Sequence, residues 1–285
     1  MAAQFQPSVW VSHSSISDFL KCPRCYYLRN VYKSKQTNRK MNIVTPPLAL
    51  GQVVHEVIEG LSALPQAERF KVSLLEKFEK SWEKVSGIKG GFKDSAEEDR
   101  YKQRGVEMLS RVAENPGILL NKAVKIKPRT EKDRLSNFDL PYYLFSEADN
   151  IILCGKIDWL EYREKDDSVH IVDFKTGKNE EDENSLQLLI YFLLAKNCQK
   201  FNVSQASYWY LDKDNEPSLV ALPEEREATE RIMEAAKRVK LARQLNLMNC
   251  PKSGCFACLP FEAVIRGEGK LVGVSDTNQD LFILP

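Results

Sequence analysis

Two acidic residues and a lysine lie in one apolar stretch of the sequence and could together hold a metal ion. Asp158 follows Ile157, Asp173 follows Val172, and Lys175 lies two residues after Asp173. Aspartate is disfavoured inside strands, and a carboxylate in apolar surroundings needs a partner or a metal. Carboxylate oxygens suit Mg²⁺ and Mn²⁺, and an ammonium beside them can orient a water and neutralise charge on a phosphate. These residues therefore predict a divalent-metal centre for phosphodiester chemistry.

The elements around these residues are expected to be the two strands of a β-hairpin. Residues 155–162 and 168–175 are rich in β-branched and aromatic side chains, and the acidic residues 164–167 between them are typical of a turn. Because side chains along a strand alternate between faces, Asp173 and Lys175 share one face. Pairing of the strands then brings the first carboxylate level with them. The alternative is an ordinary hairpin with surface carboxylates and an exposed lysine.

A helix is expected directly after this hairpin. Residues 184–196 are strongly apolar, and Asn184 is placed to cap the first turn. Gln187 and Tyr191 are four residues apart, so they lie on one face of the helix. We expect them to support Lys175 or the substrate, and packing at the edge of the core is the alternative.

Another helix, predicted over residues 51–64, carries a candidate metal ligand. A loop is expected before it, over residues 34–50, because that segment contains two consecutive prolines. His55 lies beside the apolar stripe of the helix. A lone histidine in such a position is more often structural, and the acids downstream are what favour metal ligation by His55.

Five sequence motifs in a fixed order resemble those of a known family. They are Cys22-Pro-Arg-Cys-Tyr-Tyr-Leu, Gly51-Gln-Val-Val-His55, Gly155-Lys-Ile-Asp-Trp-Leu-Glu-Tyr, Ile171-Val-Asp-Phe-Lys-Thr-Gly-Lys and Gln187-Leu-Leu-Ile-Tyr191. Together they resemble the RecB-like branch of the PD-(D/E)XK nuclease superfamily, which includes the nuclease domains of RecB and AddB and the CRISPR-associated adaptation exonucleases. The resemblance implies an α/β fold with a restriction-endonuclease-like core, in which helices flank a mixed sheet.

The resemblance also implies a role for each candidate residue. The implied metal ligands are His55, Asp158, Asp173 and the Phe174 carbonyl, and the implied catalytic residues are Asp158, Asp173, Lys175, Gln187 and Tyr191. Lys175 would position or deprotonate the attacking water. The chain departs from many relatives by having Asp173 where they have glutamate, and the shorter side chain can still bind a cation.

Three cysteines near the C-terminus form a second candidate metal site. Cys250, Cys255 and Cys258 lie within nine residues, and a fourth thiolate would complete a four-cysteine site. The resemblance implies a [4Fe–4S] cluster in which Cys22 is that fourth ligand. The spacing in the tail differs from the family's usual one, which leaves structural Zn²⁺ as an alternative, held by Cys22, Cys25, Cys255 and Cys258. Five free thiols are the third alternative.

Composition sets few limits on partners. The chain has 285 residues and a formal net charge of +1, so its overall charge does not indicate nucleic-acid binding. The basic segments 33–40 and 122–134 could contact a phosphate backbone, although such runs are usually solvated. No apolar run reaches membrane-spanning length and the N-terminus has no signal-peptide pattern, so we expect a cytoplasmic protein without a membrane partner.

The sequence thus predicts one nuclease domain over residues 1–285, with a helical insertion at 65–120 and a cysteine-rich tail at 248–285. We expect a metal-dependent DNA exonuclease acting on single-stranded or unwound ends in repair, recombination or CRISPR adaptation. No G-x-x-x-x-G-K-[ST] loop occurs in the sequence, so a helicase or CRISPR adaptation partner would supply unwinding. The alternative is a non-catalytic DNA-binding module of a larger complex. A zinc hydrolase of another fold is disfavoured, because the chain has only three histidines.

Overall fold

The structure, a computed structural model, describes residues 8–126 and 140–285. Most of the second basic segment, from residue 127 to residue 134, and the end of a strand predicted over 123–127 lie outside these ranges. Among the described helices, none is both long enough and apolar enough to cross a membrane.

The described residues form helices and strands that are joined in places by short 3₁₀ and π-helical turns. In chain order the elements are β1 (Val9–Val11), α1 (His13–Lys21), α2 (Pro23–Tyr26), β2 (Lys40–Ile43), α3 (Pro46–Gly60), α4 (Leu74–Trp82), α5 (Ser95–Glu114), β3 (Tyr142–Ser146), β4 (Ile151–Cys154), β5 (Trp159–Arg163), β6 (Ser168–Lys175), α6 (Gln187–Cys198), β7 (Asn202–Tyr210), β8 (Ser218–Val220), α7 (Glu225–Gln244), α8 (Leu259–Ile265), β9 (Lys270–Val274) and β10 (Gln279–Ile283).

The described strands form three small sheets, each with parallel and antiparallel neighbours. The central sheet has the order β5-β6-β7-β8, in which β6 and β7 are parallel and the other neighbours antiparallel. The other two sheets have the orders β1-β4-β3 and β2-β10-β9. Strand β1 is parallel to β4 and β2 is parallel to β10, so both outer sheets join segments that are far apart in the sequence.

Helices cover both faces of the central sheet, because β6 is apolar on both of its sides. Val169 and Ile171 face a core shared with α1, α6 and α7. Val172 and Phe174 face a second core shared with α3, α4 and α5. Together with the cysteine group near the C-terminus, this mixed α/β arrangement confirms the predicted fold class.

The first helix begins at a serine cap and ends just before a proline. The Ser12 hydroxyl accepts a hydrogen bond from the Ser15 N–H at 3.3 Å, which caps α1. Helix α1 stops at Cys22, whose backbone is extended, and Pro23 starts α2 in a position where no amide hydrogen is needed. A π-helical turn, Tyr27–Val31, follows. The turn of the chain at Cys22 leaves that thiol buried.

The loop predicted over residues 34–50 is wrong in two places. Strand β2 lies inside it, and α3 begins at Pro46 instead of residue 51. Prolines at the first two helical positions suit a helix start, because the first amides of a helix have no partner within it. Strand β2 pairs with β10 near the other end of the chain, and a local pattern does not show such a partner.

The predicted cap of α6 is also wrong. The helix begins at Gln187, three residues after Asn184. Asn184 is part of a turn in which its N–H donates to Asp182 Oδ1 at 2.7 Å. The Ser185 N–H donates to the Asp182 carbonyl at 2.8 Å, and the Ser185 hydroxyl accepts from the Gln187 N–H at 3.2 Å. The N-cap position is occupied by Leu186, which makes no side-chain cap, so the Ser185 hydroxyl is bonded to the first amide of the helix from one residue further back.

The segment 65–120 is helical, but its first helix is shorter than expected. A helix is predicted over 66–85, whereas α4 covers nine residues and a 3₁₀ turn, Gln66–Glu68, precedes it. Helix α5 begins after Asp94, which caps it by accepting from the Glu97 N–H at 2.7 Å.

The cysteine-rich tail contains regular elements that the sequence analysis did not predict. Helix α8 follows Cys258 directly, and β9 and β10 form an antiparallel hairpin after it. Strand β10 lies between β9 and β2. A small third core, formed by Leu28, Met41, Phe261 and the buried cysteines, joins this tail to α2 and β2.

Candidate active site and cysteine cluster

The mouth of the β5–β6 hairpin brings the two predicted aspartates together. In the register of the hairpin Trp159 pairs with Val172, so Asp158 and Asp173 are the next opposing positions. The predicted strand over 155–162 is too long, because β5 begins only at Trp159. Asp158 instead ends the preceding loop, and its Oδ2 accepts a hydrogen bond from the Phe174 N–H at 3.0 Å.

Asp173, Lys175, Gln187 and Tyr191 form one hydrogen-bonded network. The Gln187 amide donates to Asp173 Oδ1 at 2.7 Å and to the Tyr191 hydroxyl at 3.2 Å, and its oxygen accepts from Lys175 Nζ at 2.6 Å. The same ammonium lies 2.8 Å from Asp173 Oδ2 and 2.5 Å from Glu181 Oε2. The structure thus places the candidates from β6 and α6 in mutual contact.

His55 and Asp158 form a group of possible metal ligands with Glu59, a residue that the sequence analysis did not single out. One ligand atom from each lies within 4.8 Å of the others. His55 Nδ1 is 3.1 Å from Glu59 Oε1 and 3.6 Å from Asp158 Oδ2. Glu59 is four residues after His55 on α3, so the helical repeat could have shown that both lie on one face.

The charges of these acids favour a cation between them. Burial lowers the pKa of His55, but hydrogen bonds and charge from Asp158 and Glu59 outweigh it and raise that pKa to about 10. The imidazole is therefore held as a cation, and Lys156 also pairs with Glu59. A site that holds a proton so strongly between two carboxylates would also favour a divalent cation in exchange for it.

Asp173 fits a metal for a separate reason. It is 1% exposed, and among the described residues none hydrogen-bonds to its buried Oδ2, although Lys175 Nζ makes an ion-pair contact with that atom. Burial and the charge of Asp158 raise the pKa of Asp173 to about 7, against the opposing effect of Lys175. A second positive charge here would stabilise the ionised carboxylate. The donor set therefore fits a hard divalent cation.

The predicted metal ligands fall into two neighbouring groups. His55 and Asp158 belong to the group completed by Glu59, while Asp173 lies beside Asp158 in the network of Lys175. Phe174 offers its N–H to Asp158, and a metal-binding role for its carbonyl stays a prediction.

A groove with a volume of about 1240 Å³ runs past this site. His55, Glu59 and Asp158 line one side of it, and residues 272–277 of the C-terminal hairpin line another. Lysines from three parts of the chain also line the groove, namely Lys84, Lys89, Lys125 and Lys156. Strand β9 packs against the 3₁₀ turn Gly87–Gly90, so the hairpin and the segment 65–120 meet beside the groove.

The structure also brings four of the predicted cysteines together. The Sγ atoms of Cys22, Cys250, Cys255 and Cys258 all lie within 4.8 Å of one another. Cys25 is not part of this group, although it is a buried free thiol. The geometry therefore joins the end of α1 to the start of α8 through the set that includes Cys22, and it does not assemble the alternative set with Cys25.

The thiols of this group differ in how easily they ionise. Backbone hydrogen bonds from Cys258 and Ala257 lower the pKa of Cys255 to about 7, whereas burial raises the pKa of Cys258 to about 12. Cys255 Sγ and Cys258 Sγ are 3.7 Å apart. An ion pair between Arg24 and Glu262, 2.5 Å long, joins α2 to α8 close by. Four converging thiols with no disulfide among them fit a thiolate-bound metal.

Comparison with known proteins bears on both sites. Residues 10–261 match the model of a family described as the PD-(D/E)XK nuclease superfamily. This range contains the group around His55, the network of Lys175 and all four converging cysteines. No curated protein matches the chain.

Proposed function

Because the chain belongs to the PD-(D/E)XK nuclease superfamily, we propose that it cuts DNA phosphodiester bonds with Mg²⁺ or Mn²⁺, as an exonuclease on single-stranded or unwound ends. The observation that carries this proposal is the position of Asp173 Oδ2, a buried oxygen that accepts no hydrogen bond from the described residues. Asp173 Oδ2 contacts the Lys175 ammonium. Asp173 is also next to Asp158, which belongs to the group of possible metal ligands with His55 and Glu59. Carboxylates that can hold a divalent cation, with an ammonium beside them, suit metal-assisted phosphodiester cleavage.

In this proposal His55, Asp158 and Asp173 hold the cation, Glu59 joins them, and the Phe174 carbonyl is a further candidate ligand. A divalent cation bound there supplies positive charge at the phosphate and makes a bound water more acidic. The Phe174 N–H fixes Asp158 so that one of its oxygens keeps a constant position. Glu59 fixes the His55 ring in the same way through the Nδ1 contact.

Lys175 is proposed to orient the attacking water and to neutralise charge on the phosphate. Its ammonium can do this only if its direction is fixed, since a lysine has a flexible stem and three rotatable donors. Gln187 fixes it, because the same amide also holds Asp173. Tyr191 accepts from that amide and is buried, which raises its pKa and keeps its hydroxyl protonated. We assign Gln187 and Tyr191 to orientation of the acid and the lysine.

The choice of free DNA ends as the substrate is supported by the boundaries of the groove. The site opens into a groove that has the C-terminal hairpin along one side, and that hairpin meets the turn Gly87–Gly90. A DNA strand with a free end can thread into such a partly enclosed groove, whereas an internal DNA segment could enter only if the two walls moved apart. In this proposal residues 1–285 act as one domain. The helical segment 65–120 forms one wall of the groove, and the cysteine-rich tail 248–285 forms the other. A helicase or CRISPR adaptation complex would be the partner that supplies unwound ends.

We further propose that Cys22, Cys250, Cys255 and Cys258 hold a structural metal. The resemblance implies a [4Fe–4S] cluster. Zinc has its own support, because Zn–S bonds of ~2.3 Å place two tetrahedral ligands roughly 3.8 Å apart, close to the Cys255–Cys258 separation of 3.7 Å. Either metal would fasten the first helices to the tail that lines the groove. Metal analysis and the visible spectrum of anaerobically purified protein distinguish the two.

A nuclease assay tests the proposed function. Single- and double-stranded DNA labelled at the 5′ or 3′ end, matched RNA, and circular single-stranded DNA are incubated with Mg²⁺, Mn²⁺ or EDTA. We expect metal-dependent loss of end label from linear DNA, no cutting of the circle, and no activity in Asp173→Ala. Cutting of the circle would overturn the exonuclease assignment. A folded protein that binds DNA without cutting it under either cation would support the binding-module alternative instead.

A further inference from the structure

The Lys175 ammonium has a carboxylate partner that does not come from the predicted site. Glu181 Oε2 lies 2.5 Å from Lys175 Nζ, as close as any of its other contacts. Glu181 belongs to the segment between β6 and α6, which carries no regular secondary structure. Lys175 is 15% exposed at its side chain and Glu181 21%, so both charged groups are largely withdrawn from water.

The position of Glu181 is fixed by its own surroundings. Its backbone N–H donates to the Tyr210 hydroxyl at 3.0 Å, which ties the segment to the end of β7. Burial raises the pKa of the Glu181 carboxyl, but hydrogen bonds from Lys175 and the Ser185 hydroxyl outweigh it and lower that pKa. Glu181 is therefore held on the ammonium by contacts on both its backbone and its side chain.

We propose that Glu181 is a positioning residue that holds the Lys175 ammonium at the reaction centre, an inference that rests on the proposed function. The Lys175 ammonium has three N–H donors, of which Gln187 and Glu181 each face one. The remaining direction is towards Asp173 Oδ2, which is close but outside hydrogen-bonding geometry. One donor is thereby left to face the reaction centre. Without the Glu181 carboxylate, the Lys175 ammonium keeps only its contacts with Gln187 and Asp173. It can then rotate and donate a hydrogen bond to Asp173.

Glu181 acts through Lys175 and not on the metal or the nucleic acid. Its carboxylate is not part of the group formed by His55, Glu59 and Asp158, and it contacts the Lys175 ammonium and the Ser185 hydroxyl. The Glu181 carboxylate also supplies negative charge next to the buried Lys175 ammonium. Asp173 therefore does not have to balance that positive charge by itself. Loss of Glu181 should therefore change the rate of the chemical step more than it changes binding.

The test compares Glu181→Gln with Glu180→Gln. Both changes remove one charge from the same segment, and Glu180 is an exposed residue paired with Lys213. We expect kcat of Glu181→Gln to fall about tenfold while KM stays within about twofold, since only the orientation of Lys175 changes. Glu180→Gln should match wild type. In EDTA, both variants should bind single-stranded DNA with wild-type Kd. Glu180→Gln should melt at the wild-type temperature, and Glu181→Gln should melt somewhat lower because the buried ammonium loses a counter-charge.

Three results would overturn the inference while leaving the proposed nuclease function in place. They are a Glu181→Gln variant with wild-type kcat, a variant with raised kcat, and an equal fall of kcat in both variants. The second would make Glu181 an inhibitory contact, and the third would assign the effect to the segment as a whole. A wild type that cuts no nucleic acid removes the proposed function and this inference together.

Discussion

Gln187 donates its amide N–H to Asp173 Oδ1 at 2.7 Å, so a residue on α6 fixes the carboxylate of β6. The same side chain accepts from Lys175, which means that one planar amide sets the separation between the acid and the ammonium. An amide suits this position because it both donates and accepts. A carboxylate could not donate to Asp173, and an ammonium could not accept from Lys175.

Replacement of Gln187 by alanine should therefore lower kcat. We expect a fall of about 10- to 100-fold, because both the acid and the lysine lose their fixed positions. Lys196→Gln is the matched control, since Lys196 lies on the same helix, is half exposed and pairs with Glu225 at the surface. Single-turnover cleavage of end-labelled DNA measures the effect. Equal rates in Gln187→Ala and wild type would contradict the assigned role.

Glu59 should tune metal affinity. We expect Glu59→Gln to raise the Mg²⁺ concentration for half-maximal cleavage about 10- to 100-fold, because a charge and the fixed position of His55 are both lost. Glu56→Gln is the control: Glu56 lies on the same helix and lines the same groove, but it pairs with Lys84 at 2.5 Å. A Mg²⁺ titration of cleavage gives the comparison. If both variants shift equally, the effect is one of general charge and Glu59 is not a ligand.

The parts of the site that the sequence predicts are those set by short-range geometry. The alternation of side chains in β6 brings Lys175 to Asp173, and the hairpin register brings Asp158 beside them. Strand β2 and the hairpin that lines the groove were missed, because β2 pairs with β10 at the far end of the chain. Glu181 was missed because the contact depends on how an irregular segment crosses the end of β7.

Two wrong predictions fall on residue types that suit more than one local structure. Pro46 and Pro47 predict a loop, although proline is also favoured where a helix begins. Asn184 predicts a helix cap, although asparagine also forms turns, and here it does so with Asp182. In both cases several local structures were compatible with the sequence, and contacts with the rest of the protein selected one of them.

The choice between Cys22 and Cys25 can be tested directly. Both are buried thiols, Cys22 between α1 and α2 and Cys25 within α2, but only Cys22 lies with the three C-terminal cysteines. We expect Cys22→Ser to lose bound metal and to unfold at a lower temperature, because the tail is no longer fastened to the first helices. Cys25→Ser should keep its metal. Iron and zinc per chain, measured after anaerobic purification, give the answer, and metal loss in Cys25→Ser alone would contradict the geometry.

The packing of the segment 65–120 can be tested with two glycines. A Cβ added at Gly105 in α5 would lie 2.4 Å from Phe78 Cζ and 3.1 Å from Leu50 Cδ1, so α4 and α3 would have to move. We expect Gly105→Ala to lower the free energy of unfolding by about 1–3 kcal/mol, the usual range for overpacking a core. Gly60 ends α3 with a helical backbone and no atom within 4 Å of an added Cβ. Gly60→Ala should therefore raise the free energy of unfolding by up to about 1 kcal/mol, because alanine is the better helix former. Urea unfolding of both variants with the metal content held equal measures the difference, and a Gly105→Ala protein as stable as Gly60→Ala would show that α5 does not pack on Phe78 as described.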